Sequence, residues 1–300
     1  MADIKGIIVP IVTPMNEDES INLDELRVQI DRQIDAGIDG IFPFGTNGEA
    51  YILSGDEKQQ ILEVTIDQVA GRVPVYAGTG CISTKETIEQ TKMAERLGAD
   101  VVSIITPSFA KASQEELYRH YCAVAASVDL PVLLYNIPAR TGNALEPATV
   151  ARLAKDVPNI VGAKDSSGDW ENLKAYIAVK EVRPDFVALS GNDSLILDAL
   201  IEGGAGAIAG CANVYPHVMA SIYDLFVAGK LDEAREVQNS IASFRAVFRH
   251  GNPNTVVKTA VAELGYPVGK CRAPFNWLPD EGIEELRGVL AENKQKGMCE

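Results

Sequence analysis

The chain has 300 residues, 46% of them hydrophobic and 23% charged, which is ordinary globular composition with length enough for a large core. A formal net charge of -15 argues against non-specific binding to nucleic acid or to an anionic membrane, and no apolar run approaches the ~18 residues of a membrane span. The cysteines (Cys81, Cys122, Cys211, Cys271, Cys299) are scattered without a C-x-x-C pair, and His120, His217 and His250 lie far apart, which argues against a disulfide framework and a zinc site and fits a reducing cytoplasm.

Apolar runs and helical patterns alternate along the whole chain. Ile7–Val12 reads as the first strand, and Asn22–Ala36 as a helix capped by Asn22. Gly40–Phe44 and Asp56–Ala70 form the second pair. Val73–Ala77 follows, with a helix from Ser83 to Leu97 opened by a capping box, Ser83 to Glu86. Asp100–Ile105 leads to a helix opened by a second box, Ser113 to Glu116. Pro131–Asn136 is strand five, and Glu146–Asp156 its helix, with Pro147 suited to the first turn. Ile160–Lys164 precedes the helix Trp170–Lys180; Phe186–Ser190 precedes Ser194–Glu202; Ala205–Ala209 precedes a helix from about Pro216 to Ala228. Three more helical patterns follow: Asp232–Arg249, Pro253–Leu264 and Asp280–Asn293.

Eight strand–helix units with no Pro/Gly/Ser-rich linker predict an α/β protein, a single (β/α)8 TIM barrel over 1–230, with a helical C-terminal extension over 231–300. A doubly wound open sheet is the rival. It usually carries G-x-G-x-x-G after its first strand, where this chain has Val12-Thr13-Pro14. The N-terminus has no basic region followed by an apolar stretch, so no signal peptide is expected.

In such a barrel the chemistry lies at the C-terminal ends of the strands. Strand six ends in Ile160-Val161-Gly162-Ala163-Lys164, an apolar run closed by a lysine and followed by the polar loop Asp165-Ser166-Ser167-Gly168-Asp169. Burying an ammonium is costly, and a desolvated lysine gives up its proton more readily and becomes a carbonyl nucleophile. The alternative is a lysine that turns out to water. After strand two, Gly45-Thr46-Asn47-Gly48-Glu49 suits a carboxylate or oxyanion, because its glycines let backbone N–H groups converge. Strand five ends in Tyr135-Asn136-Ile137-Pro138-Ala139-Arg140-Thr141-Gly142, in which Tyr135 can relay protons and Arg140 can hold a carboxylate by two parallel bonds. Strand seven ends in Ser190-Gly191-Asn192-Asp193, with Gly191 a substrate-binding candidate. The small residues around Ile208 in Gly206-Ala207-Ile208-Ala209-Gly210 leave room beside a ligand.

G-T-x-G-E after strand two, Y-N-x-P-x-x-T-G after strand five and G-x-K-x-x-x-G-[DN] on strand six, in this order, resemble the dihydrodipicolinate synthase/N-acetylneuraminate lyase family of pyruvate-dependent class I aldolases, from about Gly6 to Leu278. The resemblance implies a Schiff base between Lys164 and pyruvate or another 2-keto acid, with an aldehyde as second substrate. It implies a pyruvate carboxylate held by Thr46 and Asn47, a proton relay of Thr46 and Tyr135, the Ile208 carbonyl lining the pyruvate pocket, and Arg140 binding the second substrate's carboxylate. It also implies a cytoplasmic homotetramer, a dimer of dimers, that needs neither metal nor organic cofactor.

Two positions depart from the synthase pattern. Asn47 stands where a second threonine is usual, and Phe109, in Thr106-Pro107-Ser108-Phe109, stands where the family has a tyrosine donated across a subunit interface. Phenylalanine passes no proton. With Arg140 as a carboxylate anchor for the second substrate, the expected activity is a dihydrodipicolinate synthase-like condensation of pyruvate with aspartate semialdehyde. A 2-keto-3-deoxy sugar acid aldolase or dehydratase is the alternative within the family. A metal-dependent barrel enzyme and a catalytically idle binding barrel are the alternatives outside that chemistry.

Overall fold

The computed structural model describes residues 3–299. Its eight strands are β1 (Gly6–Val9), β2 (Gly40–Ile41), β3 (Tyr76–Gly78), β4 (Val101–Ile105), β5 (Val132–Asn136), β6 (Ile160–Asp165), β7 (Val187–Ser190) and β8 (Gly206–Ile208). They form one sheet in the order β2-β1-β8-β7-β6-β5-β4-β3, with a helix after every strand. Parallel neighbours cannot be joined by a tight turn, so each return runs through a helical crossover. The fold is a (β/α)8 barrel.

The contacts divide the chain into two compact units: the described residues of Met1–Gly6 with Pro74–Ile208, and those of Ile7–Val73 with Ala209–Glu300. In the first unit, β3 to β8 alternate with α3 (Thr84–Leu97), α4 (Gln114–Ala125), α5 (Pro138–Thr141), α6 (Pro147–Asp156), α7 (Trp170–Ile177) and α8 (Ile196–Glu202). Every residue of β5 and β6 is buried, as expected of strands covered on both faces. Between them the register shifts by one residue. Val132 pairs with Ile160 but Leu133 pairs with Gly162, so Val161 is left over. This step sets Tyr135 opposite Lys164 and Asn136 opposite Asp165. Gly162 beside it has no room for a side chain, because a Cβ there would lie 2.5 Å from the Val187 carbonyl oxygen of β7.

The second unit holds α1 (Leu23–Asp35), α2 (Gly55–Val69), α9 (Pro216–Val227), α10 (Leu231–Ser240), α11 (Ala242–Ala246), α12 (Pro253–Glu263) and α13 (Asp280–Gln295) beside β1 and β2. Tyr215 and Phe244 meet edge to face at 5.3 Å, and Asn293 donates to the Tyr215 hydroxyl at 2.9 Å, which ties α13 and α11 to the start of α9. Asn213 accepts from the Val12 N–H at 2.9 Å and donates to the Pro10 carbonyl at 3.0 Å, so the turn after β8 is fixed to the segment after β1.

Several boundaries differ from those expected. β1 ends at Val9 and β2 at Ile41, short of Val12 and Phe44, because Pro10 and Pro43 bring no N–H to a ladder. The stretch Asp232–Arg249 is not one helix. It breaks after Ser240, whose hydroxyl donates to the Val237 carbonyl at 2.7 Å, and continues as α11 and a 3-10 turn, Val247–His250. The loop expected after β5 contains α5, started by Pro138 and stopped by Gly142 at φ 79°. Asn22 caps α1 and the Ser113–Glu116 box is complete; at Ser83 only the half in which its hydroxyl accepts from the Glu86 N–H is formed. No helix among the described residues is long and apolar enough to cross a membrane.

Candidate active site

The first unit brings Lys164, Tyr135 and Gly191 together. Lys164 is 4% exposed, and its Nζ stands 4.1 Å from the centroid of the Tyr135 ring, which is equally buried. Successive strand residues point to opposite faces, so Tyr135 and Lys164 share one face of the sheet and Asn136 and Asp165 the other. The second face is the one that meets the helices. Burial and the Asp165 charge push the hydroxyl of Tyr176, on α7, well above its usual range, and that hydroxyl donates to the Leu145 carbonyl. Lys164 and Tyr135 therefore face the barrel interior. The Asp165 carboxylate is held from behind by Asn136 Nδ2 at 2.8 Å and the Ser167 hydroxyl at 2.7 Å, and Asn136 Oδ1 accepts from the Leu145 N–H at 3.0 Å. These bonds pin the end of β6 and so fix the backbone that carries Lys164. The sequence reading did not single out Asn136 or Asp165; their adjacency to Tyr135 and Lys164 on paired strands was the available signal.

Gly191 has a steric reason to be glycine. A Cβ there would lie 2.0 Å from Ser166 Oγ and 2.7 Å from Lys164 Cε, while its N–H donates to the Asp165 carbonyl at 2.7 Å. Its role in the geometry is clearance beside the lysine.

Arg140 sits exposed on α5. Lys111 donates to the Gly142 carbonyl just beyond it. Asn143 binds the Pro107 and Ala110 carbonyls at 2.8 and 2.7 Å and accepts from the Ala112 N–H at 2.9 Å. The loop so anchored carries Phe109, whose ring is 97% exposed and whose φ of 75° is the left-handed conformation that non-glycine residues seldom adopt.

Ile208, the last residue of β8, is buried in the first unit. Thr46 and Asn47 belong to the second unit, half-buried in the turn after β2. Gly48 is crowded: a Cβ would lie 2.9 Å from both the Ile11 oxygen and the Phe44 nitrogen. Its carbonyl accepts from the Thr13 hydroxyl at 2.7 Å. Gly210 leaves room for Asn47, since a Cβ there would come within 3.4 Å of its amide. The turn ends on Glu49, fully buried, whose carboxylate meets Lys258 Nζ at 2.8 Å and the Arg272 N–H at 2.8 Å. Burial, reinforced by the Glu49 charge, pushes the neighbouring Cys271 thiol up to about 12. In the sequence Glu49 stands out only as the last residue of the glycine-flanked turn, and nothing points to Lys258, 209 positions away.

The ordered strand-end motifs extend to the whole chain when it is set beside known proteins. The dihydrodipicolinate synthetase family pattern matches residues 3–293. The 4-hydroxy-tetrahydrodipicolinate synthase of Syntrophus aciditrophicus is 42% identical over 287 residues, 95% of this chain and 97% of that protein. That of Methanopyrus kandleri is 39% identical over 289 residues, 96% and 95%. The crystal structure of dihydrodipicolinate synthase from Thermotoga maritima superposes with a TM-score of 0.94 at 32% identity, covering 97% of this chain and 99% of that one. An E. coli prophage protein of the dihydrodipicolinic acid synthase family, solved in complex with pyruvate, gives 0.93 at 33% identity, covering 99% and 100%. With the match running through both units and through each strand end that carries a candidate residue, the chain belongs to the dihydrodipicolinate synthetase family.

Proposed function

We propose that this chain is a 4-hydroxy-tetrahydrodipicolinate synthase that condenses pyruvate with aspartate semialdehyde through a Schiff base on Lys164. The observation that carries the reading is the buried Lys164 amine over the Tyr135 ring, in a chain 36–42% identical to synthases of that name across nearly its full length. The amine adds to the keto carbon, and Tyr135 protonates the carbinolamine oxygen, which leaves as water. The protonated imine then draws electrons from C3; loss of a C3 proton gives an enamine, whose C3 attacks the aldehyde carbon while the aldehyde oxygen takes up a proton. The semialdehyde's own amine then adds to the resulting imine carbon and displaces the Lys164 amine, closing the ring and freeing the enzyme. In this reading Thr46 and Asn47 hold the pyruvate carboxylate, Thr46 joins Tyr135 in the relay, the Ile208 carbonyl lines the pocket, Gly191 keeps the space beside the imine, and Arg140 receives the second substrate's carboxylate. No cofactor is required by these steps.

The test is an assay of wild-type protein with pyruvate and a panel of aldehydes, beside cleavage assays on 2-keto-3-deoxy sugar acids. Aspartate semialdehyde is expected to be the best acceptor. Arg140→Lys, which keeps the charge and loses the bidentate fork, is expected to raise the KM of aspartate semialdehyde about tenfold and to spare that of pyruvate. Phe109 favours the second reading, a sugar acid aldolase or dehydratase, because it lacks the hydroxyl of the usual relay. Absence of condensation with aspartate semialdehyde, in wild type and in Phe109→Tyr alike, together with turnover of a keto-deoxy acid, would replace the first reading by the second.

We further propose a barrel over 1–230 with a helical extension over 231–300, and a cytoplasmic homotetramer built from dimers. The last strand is β8 and every element from Leu231 onward is a helix, which supports the division. The cysteines are all free thiols, which supports the compartment. The Phe109 ring, fully exposed at an anchored loop tip, is an apolar surface that a neighbouring subunit would cover. Light scattering is expected to give four chain masses. A concentration-independent single-chain species would refute the assembly.

A further inference from the structure

Glu49 and Lys258 form a buried ion pair that no step of the proposed reaction uses, 0% and 1% exposed. Such a pair is weak evidence for stability, since taking both charges out of water offsets much of their attraction. Its place in the fold is more informative. Lys258 lies one turn after Asn254 on α12, so the two side chains project from one helix face. Asn254 Nδ2 donates to the Thr46 carbonyl at 2.7 Å, and Lys258 Nζ to Glu49 Oε1 at 2.8 Å. One helix face thus grips both ends of the tetrapeptide Thr46-Asn47-Gly48-Glu49. The turn's own backbone bonds are long, Glu49 N–H to the Thr46 carbonyl and Ala50 N–H to the Gly45 carbonyl at 3.2 Å each, and its backbone is strained. Glu49 has φ 60° and Phe44, just before the turn, has φ 38°, both left-handed and neither glycine. A glycine would take the Glu49 conformation without strain, so the residue there is explained by its carboxylate, which also accepts from the Arg272 N–H. Arg272 is itself locked, by Glu57 at 2.7 and 3.1 Å and by the Glu19 carbonyl at 2.7 Å.

We infer that Asn254 and Lys258 are positioning residues: α12 holds Thr46 and Asn47 in the geometry that receives the 2-keto acid's carboxylate. The inference rests on the reading of Thr46-Asn47 as the carboxylate site. Asn254 bonds to the turn's first carbonyl and Lys258 to its closing carboxylate, so their loss should appear in pyruvate affinity ahead of the chemical step.

The test measures how borohydride trapping at Lys164 saturates with pyruvate, and the steady-state constants, in full-length wild type, Asn254→Ala, Asn254→Asp and the double variant Glu49→Gln/Lys258→Met. Asn254→Asp keeps the shape but offers only acceptors to the Thr46 carbonyl. The double variant removes both charges, so no uncompensated ion is left buried. Thr255→Val serves as the control on the same helix, since the Thr255 hydroxyl donates to the Phe275 carbonyl at 2.6 Å and not to the Thr46 carbonyl or the Glu49 carboxylate. Asn254→Ala and Asn254→Asp are expected to raise half-saturating pyruvate about tenfold, the loss of one well-made hydrogen bond, with kcat within about threefold and the second substrate's KM unchanged. The double variant should shift in the same direction and Thr255→Val should not. Trapping in wild type with an unshifted pyruvate dependence in folded Asn254 variants overturns the inference alone, as does an equal shift in Thr255→Val. No trapping in wild type overturns the activity reading and takes this inference with it.

Discussion

Lys164→Ala is expected to abolish turnover and to remove the adduct that borohydride leaves after incubation with pyruvate. The covalent step has no substitute nucleophile in the proposed chemistry, so the loss should be about 10³-fold or more, as when a nucleophile acting within a catalytic unit is removed. Stability should not fall with it. The side chain is buried against the Tyr135 ring, and alanine removes a polar head from an apolar wall without leaving a charge behind. The end of β6 keeps its anchors, because Asn136 and Ser167 both donate to the Asp165 carboxylate, which lies on the opposite face. Peptide mapping of the reduced wild-type protein should place the added pyruvyl group on Lys164. Label on another lysine, or a variant that still turns over, would remove Lys164 from the mechanism.

Much of the candidate site was legible in the sequence because it sits at strand ends, where local pattern and chemistry coincide. An apolar run that stops at Lys164, and another that stops at Tyr135-Asn136, each mark a buried strand and its rim. Capping at Asn22 and Ser113 fixed helix starts for the same reason, since the bond closes within three residues. What was not legible depends on partners far away or on backbone register. The leftover Val161 decides whether Tyr135 faces Lys164 or Ala163, and nothing local announces it. The Glu49–Lys258 pair joins two ordinary-looking positions across 209 residues. The early ends of β1 and β2 were visible in Pro10 and Pro43 but outweighed by the apolar run around them. The short helix that carries Arg140 was likewise signalled, by Pro138 at its start and Gly142 at its end, within a segment too short for hydrophobic periodicity to register.

Tyr135→Phe is expected to lower turnover by about 10²–10⁴-fold, the usual worth of general acid–base catalysis. The substitution isolates the hydroxyl. The ring stays in β5, opposite Lys164 in the ladder, and the amine keeps its place 4.1 Å from the ring centroid. The space around the lysine is unchanged too, since Gly191 sets it from the other side. Imine formation at Lys164 should therefore continue more slowly, while condensation, which also needs a proton delivered to the aldehyde oxygen, falls further. The two can be separated: single-turnover trapping with borohydride follows the imine, and steady-state assay follows the whole reaction. Phe109 sharpens the expectation, because in the proposed relay a phenylalanine supplies no further hydroxyl and Tyr135 would carry more of the proton traffic. If Tyr135→Phe costs less than about threefold, a water or another hydroxyl delivers the proton. Phe109→Tyr in that background would then show whether a hydroxyl at the loop tip can do so, by raising condensation above the Tyr135→Phe level.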